Sequence, residues 1–117
     1  MKTDSSQSTL AKLAEILAAR KQANPEESYV ASLHAQGLNK ILEKIGEEAI
    51  ECVLAAKDCD IDNSAANQRA LIGETADLWF HNMVMLSELD LDYNDVLNEL
   101  EARFGLSGLE EKASRSR

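Results

Sequence analysis

The sequence predicts an all-α protein, a helical-hairpin-based bundle of four to five helices that is completed by dimerisation. Three observations favour this fold class. The chain has only one proline and five glycines, and aromatic residues make up just 4% of it. Strand-rich sandwiches and barrels draw on more turn formers and more aromatic strand residues. Most of the chain instead carries apolar residues at helical spacing.

The helices are predicted where apolar residues recur every three to four positions, and the loops where small polar residues interrupt that spacing. Asn24-Pro25 ends the first helix, and Asp92 and Gly105 fit the N-cap and the residue after the end of the last helix. The predicted helices cover residues 9–23, 38–57, 68–89 and 93–104, with a loop holding a turn or two of helix at 25–37 and a polar loop at 58–67. One domain, residues 9–105, is expected between a disordered N-terminal tail, 1–8, and a C-terminal tail, 106–117.

Length and charge limit the class of protein. A chain of 117 residues has room for one domain with one core. Lys and Arg number 12 against 21 Asp and Glu, so the formal net charge is −9. A surface of that sign repels nucleic acid and anionic lipid, and we expect neither as a partner. The first nine residues hold no apolar core of a signal peptide, which favours a cytoplasmic location.

The two cysteines carry no metal or redox signal. Cys52 and Cys59 lack the C-x-x-C spacing, and no set of histidines accompanies them. Cys52 is predicted to be a small core residue and Cys59 a loop thiol, both reduced.

Charged residues gather on one sector of the predicted helix 38–57. On a helical wheel, Glu47, Glu48 and Glu51 lie within about 100° of one another, and Lys40 and Lys44 share their sector. Charges at this spacing also occur on ordinary solvated helix faces, so this sector alone does not establish a site.

The same helix has apolar residues on both sides of its charged sector. Ile50 and Leu54 form a strip on one side. A helix with a single buried face does not need this strip, so we expect a second subunit to cover it in a homodimer. The predicted core face, on the other side, consists of Leu38, Ile41, Leu42, Ile45, Ala49, Cys52, Val53 and Ala56.

A narrow polar line runs along the predicted helix 68–89. It consists of Glu74, Asp77, His81 and Glu88, and apolar residues occupy nearly every other direction. This pattern predicts a mostly buried helix. An unpaired buried carboxylate loses hydration worth several kcal/mol, so a compensating group is expected beside these acids.

An antiparallel hairpin of these two helices would bring the acidic residues together. Glu51 lies six residues before the predicted end of its helix at Lys57 and Glu74 six residues after the predicted start of its helix at Gln68, which is about 9 Å along either helix. Converging carboxylates repel one another unless a cation lies among them, and oxygen ligands favour Mg²⁺, with Mn²⁺ possible. Mg²⁺ keeps coordination positions for water and phosphate, so a site for a phosphate ester or anhydride is predicted. The predicted metal ligands are Glu47, Glu48, Glu51, Glu74 and Asp77.

The acidic segments resemble a known signature. GEEAIE (46–51) and ETAD (74–77) are similar to the E-E-x-x-E and E-x-x-D pattern of the all-α, MazG-like nucleoside triphosphate pyrophosphohydrolases. The similarity to one member family, phosphoribosyl-ATP pyrophosphohydrolase, covers roughly residues 10–115, with Val30 where Thr is expected and Cys52 where Val is usual. The segments that carry it are Ser28-Tyr29, GLNKILEKIGEEAIE (37–51), Ala55-Ala56-Lys57, ADLWFH (76–81) and SGLEEKASR (107–115).

This resemblance implies Mg²⁺-dependent hydrolysis of the α–β phosphoanhydride of phosphoribosyl-ATP to phosphoribosyl-AMP and pyrophosphate, the second step of histidine biosynthesis. The acids would hold the metal, and Glu48 is the candidate general base, although its position suits a direct ligand equally well. Two alternatives stay open. One is a housekeeping MazG-like nucleoside triphosphate pyrophosphohydrolase, and the other is a non-catalytic helical dimerisation module.

Other residues are candidates for substrate contact. Lys40 and Lys44 could hold phosphates as point charges, with Arg20, Lys21 or Arg103 reaching in from another helix or subunit. His81, one turn after Asp77, suits either a partner of the metal ligands or a core position, and Tyr29 suits substrate contact or packing. The predicted substrate-binding residues are Lys40, Lys44, Ser28, Tyr29 and Arg20.

Overall fold

Five α-helices make up most of the chain that the computed structural model describes, residues 5–105. These residues contain no strand, so the predicted all-α class is confirmed, while dimerisation stays a prediction. The helices are α1 (Ser5–Arg20), α2 (Tyr29–Gln36), α3 (Leu38–Ile61), α4 (Ala65–Glu88) and α5 (Tyr93–Leu100), and a π-helical turn, Glu101–Gly105, follows α5.

The first helix begins earlier than the sequence predicts. It begins at Ser5 rather than near Thr9, and it ends at Arg20, before the expected end at Ala23. Residues 1–4 of the predicted N-terminal tail and all of the predicted C-terminal tail, 106–117, lie outside the described residues. The tails and the domain limits stay predictions.

The segment 25–37, predicted to be mainly loop, contains the complete helix α2. Its N-cap is Ser28, whose hydroxyl oxygen accepts a hydrogen bond of 3.1 Å from the backbone N–H of Ala31. Gly37 ends α2 and immediately precedes α3, with φ at +96°, where a residue with a Cβ atom is strained. This single glycine lets the chain turn directly from one helix into the next.

Helices α3 and α4 form the antiparallel hairpin that the sequence predicts, with a shorter turn. Only residues 62–64 separate them, so the predicted polar loop over 58–67 is wrong. The Ser64 hydroxyl accepts from the Asn67 backbone N–H at 3.1 Å, and the Asn67 amide donates to the carbonyls of Asp58 and Asp62. Because these bonds satisfy the two helix ends, exposed polar residues extend both helices.

The cysteines are free, as predicted, but neither lies where the sequence predicts, in the core for Cys52 and in a loop for Cys59. Cys52 is half-buried, with its sulfur 3.5 Å from the Thr75 hydroxyl on α4. Cys59 belongs to the last turns of α3 rather than to a loop, and its thiol donates to the Asn63 side chain at 3.2 Å. The early end predicted for this helix explains the error.

The core lies at the end of the hairpin that is remote from its turn. There α1 and α2 cover the first part of α3 and the last part of α4, and Leu17, Leu33, Ile41 and Val84 are almost fully buried. The other apolar members of this core are Val30, Ala31 and Met83. The covering helices are short, so the turn end of the hairpin extends beyond them.

This geometry corrects two burial predictions for the single chain. Leu42, Val53 and Ala56, assigned to the core face of α3, are exposed. Helix α4 is not mostly buried, because Ile72 and Trp79 are exposed too. Ile50 and Leu54, the predicted second strip, are also open to solvent. Among residues 5–105, no helix is both long enough and apolar enough to cross a membrane.

Candidate metal centre

Three carboxylates meet where the middle parts of α3 and α4 face each other. Glu48 on α3 and Glu74 and Asp77 on α4 each offer an oxygen, and these oxygens all lie within 4.8 Å of one another. Glu48 is only 7% exposed, Glu74 is half-buried and Asp77 is exposed. We call these three residues the acidic cluster. It has a closed side formed by protein and an open side toward solvent.

Two oxygens of the acidic cluster lack any protein partner among the described residues. They are Oε2 of Glu48 and Oε2 of Glu74, and both are buried. A buried acceptor without a hydrogen bond costs about 1–3 kcal/mol, and more when it is charged. Both oxygens are therefore suited to a ligand that is not part of this chain.

Crowding of these acids raises two pKa values. The pKa of Glu48 is raised mainly by burial, and the charges of Glu51 and Asp77 add to the rise while His81 and Lys44 oppose it. The pKa of Glu74 is raised to about 7, first by a hydrogen bond with Glu51, then by burial and by the charges of its acidic neighbours. In the metal-free chain, Glu74 therefore takes up a proton as the pH falls through about 7.

The other two predicted metal ligands lie at the edge of the cluster. Glu51 is exposed and lies close enough to Glu74 to raise the pKa of that residue. Glu47 points toward its own helix neighbour, Lys44, and the Nζ atom of Lys44 lies 3.1 Å from its Oε1. The structure thus gathers three of the five predicted ligands within metal-binding distance and places Glu51 beside them.

The predicted phosphate-binding lysines form ion pairs within α3. Lys40 pairs with Glu43 at 3.3 Å, and Lys44 pairs with Glu47 at 3.1 Å. The Glu47 pair, with a smaller contribution from Tyr29, raises the pKa of Lys44. Exposed pairs of this kind contribute only about 0.3–0.5 kcal/mol, so both ammonium groups can exchange a carboxylate for a phosphate.

Arg20 lies at a distance from the acidic cluster. Its neighbour Lys21 donates to the Ser87 carbonyl at 2.6 Å and to Asp90 at 3.0 Å. Ser87 is ten residues beyond Asp77 on α4, which is about 15 Å along the helix. Arg103, the third basic residue considered, pairs with Glu99 at 2.7 Å.

Ser28 and Tyr29 differ in what they offer a substrate. The Ser28 hydroxyl is already used as the N-cap of α2, in a buried position. Tyr29 is 52% exposed, and its hydroxyl lies 2.9 Å from Nε2 of His81. Tyr29 is therefore the one of this pair with a free surface.

His81 connects α2 to the acidic cluster. It is 5% exposed, and its Nδ1 lies 2.8 Å from the backbone carbonyl of Asp77. The spacing of Asp77 and His81 in the sequence indicates that they are one turn apart, but it gives no sign of Tyr29, which lies 52 residues before His81. Glu88, the last residue of the predicted polar line, pairs instead with His34 at 2.6 Å, far along α4 from the cluster.

The fold and the site together define a class of protein, namely all-α proteins whose facing helices could hold a divalent cation among carboxylates. Within this class the family can be assigned. The model of the phosphoribosyl-ATP pyrophosphohydrolase family matches residues 10–104, and the chain belongs to that family. It is a phosphoribosyl-ATP diphosphatase, a hydrolase of histidine biosynthesis that releases pyrophosphate from phosphoribosyl-ATP.

The assignment confirms the resemblance found in the sequence and decides among the three functions considered there. A housekeeping nucleotide pyrophosphohydrolase and a non-catalytic dimerisation module are both set aside. The segment SGLEEKASR, at 107–115, lies outside the matched residues and outside the described ones, so the assignment depends on the helical part of the chain.

Proposed function

We propose that the enzyme acts with Mg²⁺ bound by Glu48, Glu74 and Asp77. The observation that carries the proposal is the pair of buried Oε2 atoms, on Glu48 and Glu74, that no group of the described chain satisfies. All three residues of the acidic cluster supply oxygen, which suits Mg²⁺ and also Mn²⁺. Asp77, on the exposed side, leaves room for solvent and substrate.

Glu51 and Glu47 extend this proposal outward. Glu51 lies beside Glu74 and raises its pKa, and loss of the Glu74 proton on metal binding would leave the Glu51 carboxylate beside the cation as a further ligand. Glu47 can join only after its ion pair with Lys44 opens. We therefore rank the ligands by position, with the acidic cluster first, Glu51 next and Glu47 last.

The reaction needs charge neutralisation and a proton acceptor. Mg²⁺ bound there would neutralise the phosphate chain and ease the deprotonation of water. We retain Glu48 as the proton acceptor because it is the most enclosed of the three acids, and in that role it would use the carboxylate oxygen that does not bind Mg²⁺. Lys40 and Lys44, one turn apart on the same helix, would hold phosphate oxygens after leaving their carboxylate partners.

The proposal extends to a homodimer. Exposed apolar residues follow one strip of α3, where Ile50, Leu54 and Ile61 share a helix face, and another on α4, where Ile72 and Trp79 lie two turns apart. Monomeric proteins rarely expose large contiguous apolar patches. A second copy of the chain, related by a twofold axis, would bury the same strips on both partners.

Asp77→Asn and Glu48→Gln test the metal site. Each substitution removes a carboxylate charge at nearly constant shape, and we expect each to lower kcat/KM for phosphoribosyl-ATP by at least about 100-fold, since partners one step further from a metal already cost 10–100-fold. Wild-type melting temperature should rise with Mg²⁺ by mass action, and this rise should be absent in Asp77→Asn.

Asp60→Asn is the matched control, because Asp60 is an exposed acid on α3 outside the acidic cluster. It should keep both the activity and the Mg²⁺-dependent rise in melting temperature. Near-normal turnover by Asp77→Asn, or wild-type protein that Mg²⁺ does not stabilise, would contradict the proposed site.

A further inference from the structure

The ring of Tyr29 is exposed, yet it is held firmly in place. Tyr29 is the first residue of α2, directly after the capped and buried Ser28 and directly before the buried residues Val30 and Ala31. Its backbone is therefore fixed, and its hydroxyl is bound to His81 at 2.9 Å. An exposed aromatic ring anchored at both ends differs from an ordinary mobile surface side chain.

Both ring nitrogens of His81 are used. The Asp77 carbonyl can only accept, so Nδ1 of His81 carries the hydrogen of that 2.8 Å bond. Nε2 of the neutral ring is then an acceptor, and the Tyr29 hydroxyl donates to it. The chain of bonds runs from Tyr29 through His81 to the backbone of a proposed metal ligand.

One face of the Tyr29 ring is covered by another ring. Phe80 lies nearly parallel to it, with the ring centroids 6.3 Å apart and the planes inclined by 18°. The His81 ring meets both of these rings edge on, at centroid distances of 5.9 Å to Tyr29 and 5.0 Å to Phe80. Since Tyr29 is still 52% exposed, its outer face is open.

Tyr29 is linked to the acidic cluster through His81. Tyr29 is bonded to His81, which lies one turn after Asp77 and whose Nδ1 donates to the Asp77 backbone carbonyl at 2.8 Å. Tyr29 is also close enough to Lys44 to contribute to the raised pKa of that lysine. The ring is therefore linked through His81 to the backbone of a proposed metal ligand, and it lies near a proposed phosphate-binding residue.

We propose that the outer face of Tyr29 stacks on the purine base of the substrate, and that His81 is a positioning residue that holds the ring there. The inference rests on the proposed function, because it takes the phosphate chain to be bound at the acidic cluster. The substrate joins a purine to that chain, and an aromatic face beside the phosphates is the surface on which a base is held.

The two reaction products provide the test, because only one contains a base. Inhibition constants of phosphoribosyl-AMP and of pyrophosphate are measured for wild type, Tyr29→Ala and Tyr29→Phe with Mg²⁺ present. Tyr29→Ala should weaken the binding of phosphoribosyl-AMP about tenfold, which is the usual effect of losing one base stack. The inhibition constant of pyrophosphate should change by less than about twofold. Tyr29→Phe keeps the ring but loses the hydrogen bond, and should weaken phosphoribosyl-AMP about threefold.

His81 is tested with His81→Leu and His81→Gln. The leucine variant cannot accept from the Tyr29 hydroxyl and should weaken phosphoribosyl-AMP to the level of Tyr29→Phe, whereas glutamine offers an acceptor and should restore part of the binding. Adding Tyr29→Phe to His81→Leu should produce little further loss, because both changes remove the same bond. If the buried histidine variants fail to fold, Tyr29→Phe still breaks this bond from its exposed end.

Two results would overturn the inference: unchanged phosphoribosyl-AMP binding in Tyr29→Ala, or equal weakening of both products. The second result would mean that the ring supports the shape of the acidic cluster and does not hold a base. Failure of the metal proposal is recognised separately, because it would abolish the Mg²⁺-dependent rise in melting temperature in wild type as well.

Discussion

Glu74 is the residue whose chemistry depends most on its neighbours. Its pKa, ordinarily 4.5, is raised to about 7 by its hydrogen bond with Glu51, by burial and by the surrounding charges. Below that pH it is neutral and relieves the repulsion within the acidic cluster. A divalent cation would do the same by a different route, and metal binding and protonation therefore compete at this residue.

Stability of the metal-free protein should fall as the pH rises from about 5 to about 7. Because the pKa of Glu74 is higher in the folded chain than in the unfolded one, the folded state binds the proton more tightly, and unfolding releases it across this range. The loss should level off above the folded pKa. Melting temperatures in chelator between pH 5 and 8 measure it, and Glu74→Gln should flatten the slope.

Glu15→Gln is the control for this experiment, since Glu15 is an exposed acid on α1, remote in sequence from the cluster. This substitution removes one carboxylate but leaves Glu74 and its raised pKa in place. The slope of melting temperature against pH should therefore match that of the wild type. An equally steep slope in Glu74→Gln would show that other groups cause the pH dependence.

At this scale the sequence predicts what depends on spacing within one helix. Glu48, Glu74 and Asp77 could be identified because three- and four-residue steps bring side chains to the same helix face. Glu47 shares that spacing, yet its carboxylate pairs with Lys44. A helical wheel does not show which of its neighbours a side chain contacts. The bond between Tyr29 and His81 joins different helices and leaves no periodic signal.

Among the elements, the short helix α2 is the one that periodicity misses. It has eight residues, and Val30, Ala31 and Leu33 are all buried, so apolar positions surround much of the helix and no clean stripe appears. Its ends are instead defined by single residues, the Ser28 cap and Gly37. The predicted end of α3 is four residues early and the predicted start of α4 is three residues late. Because these two errors are nearly equal, the acids still meet.

Gly37→Ala should lower the stability of the protein by about 1–3 kcal/mol. The residue has φ at +96°, where a side chain strains the backbone, even though no atom lies within 4 Å of an added Cβ. Gly73, inside α4, has the same open space but ordinary helical geometry, so Gly73→Ala should stabilise by up to about 1 kcal/mol.

Chemical denaturation measures the free energy of unfolding of both variants, which should change in opposite directions. Equal effects at the two positions would show that the junction between α2 and α3 is not strained by a side chain. The comparison is sensitive because α2 carries Tyr29, so a relaxed junction would also displace the ring that is proposed to hold the base.

At the scale of the whole molecule, the main feature is that the α3–α4 hairpin extends beyond helices α1 and α2, which pack on it. The apolar strips on α3 and α4 remain exposed after α1 and α2 have packed on the core end. The wheel of residues 38–57 predicts the Ile50 and Leu54 strip, because it lies apart from the core face. Exposure of Val53, Ile72 and Trp79 could not be predicted, since a wheel shows which residues share a face but not how far a covering helix reaches.

Light scattering after size exclusion should show wild-type protein at twice the chain mass. Leu54→Glu places a charge in the middle of the α3 strip and should raise the dissociation constant at least about thirtyfold, the threshold usually used for a central contact residue. Gln22→Glu, which adds a charge in the exposed turn after α1, should leave the mass unchanged. A wild-type monomer at all concentrations would contradict the homodimer.

The short turn at 62–64 has a consequence for how the site is assembled. All three acids of the cluster come from the continuous stretch between Glu48 and Asp77, and these two helical segments need only that turn to meet. The entropy lost in closing so small a loop is low, and contacts local in sequence form early in folding. The three ligands can thus be brought together before contacts between distant parts of the chain have formed.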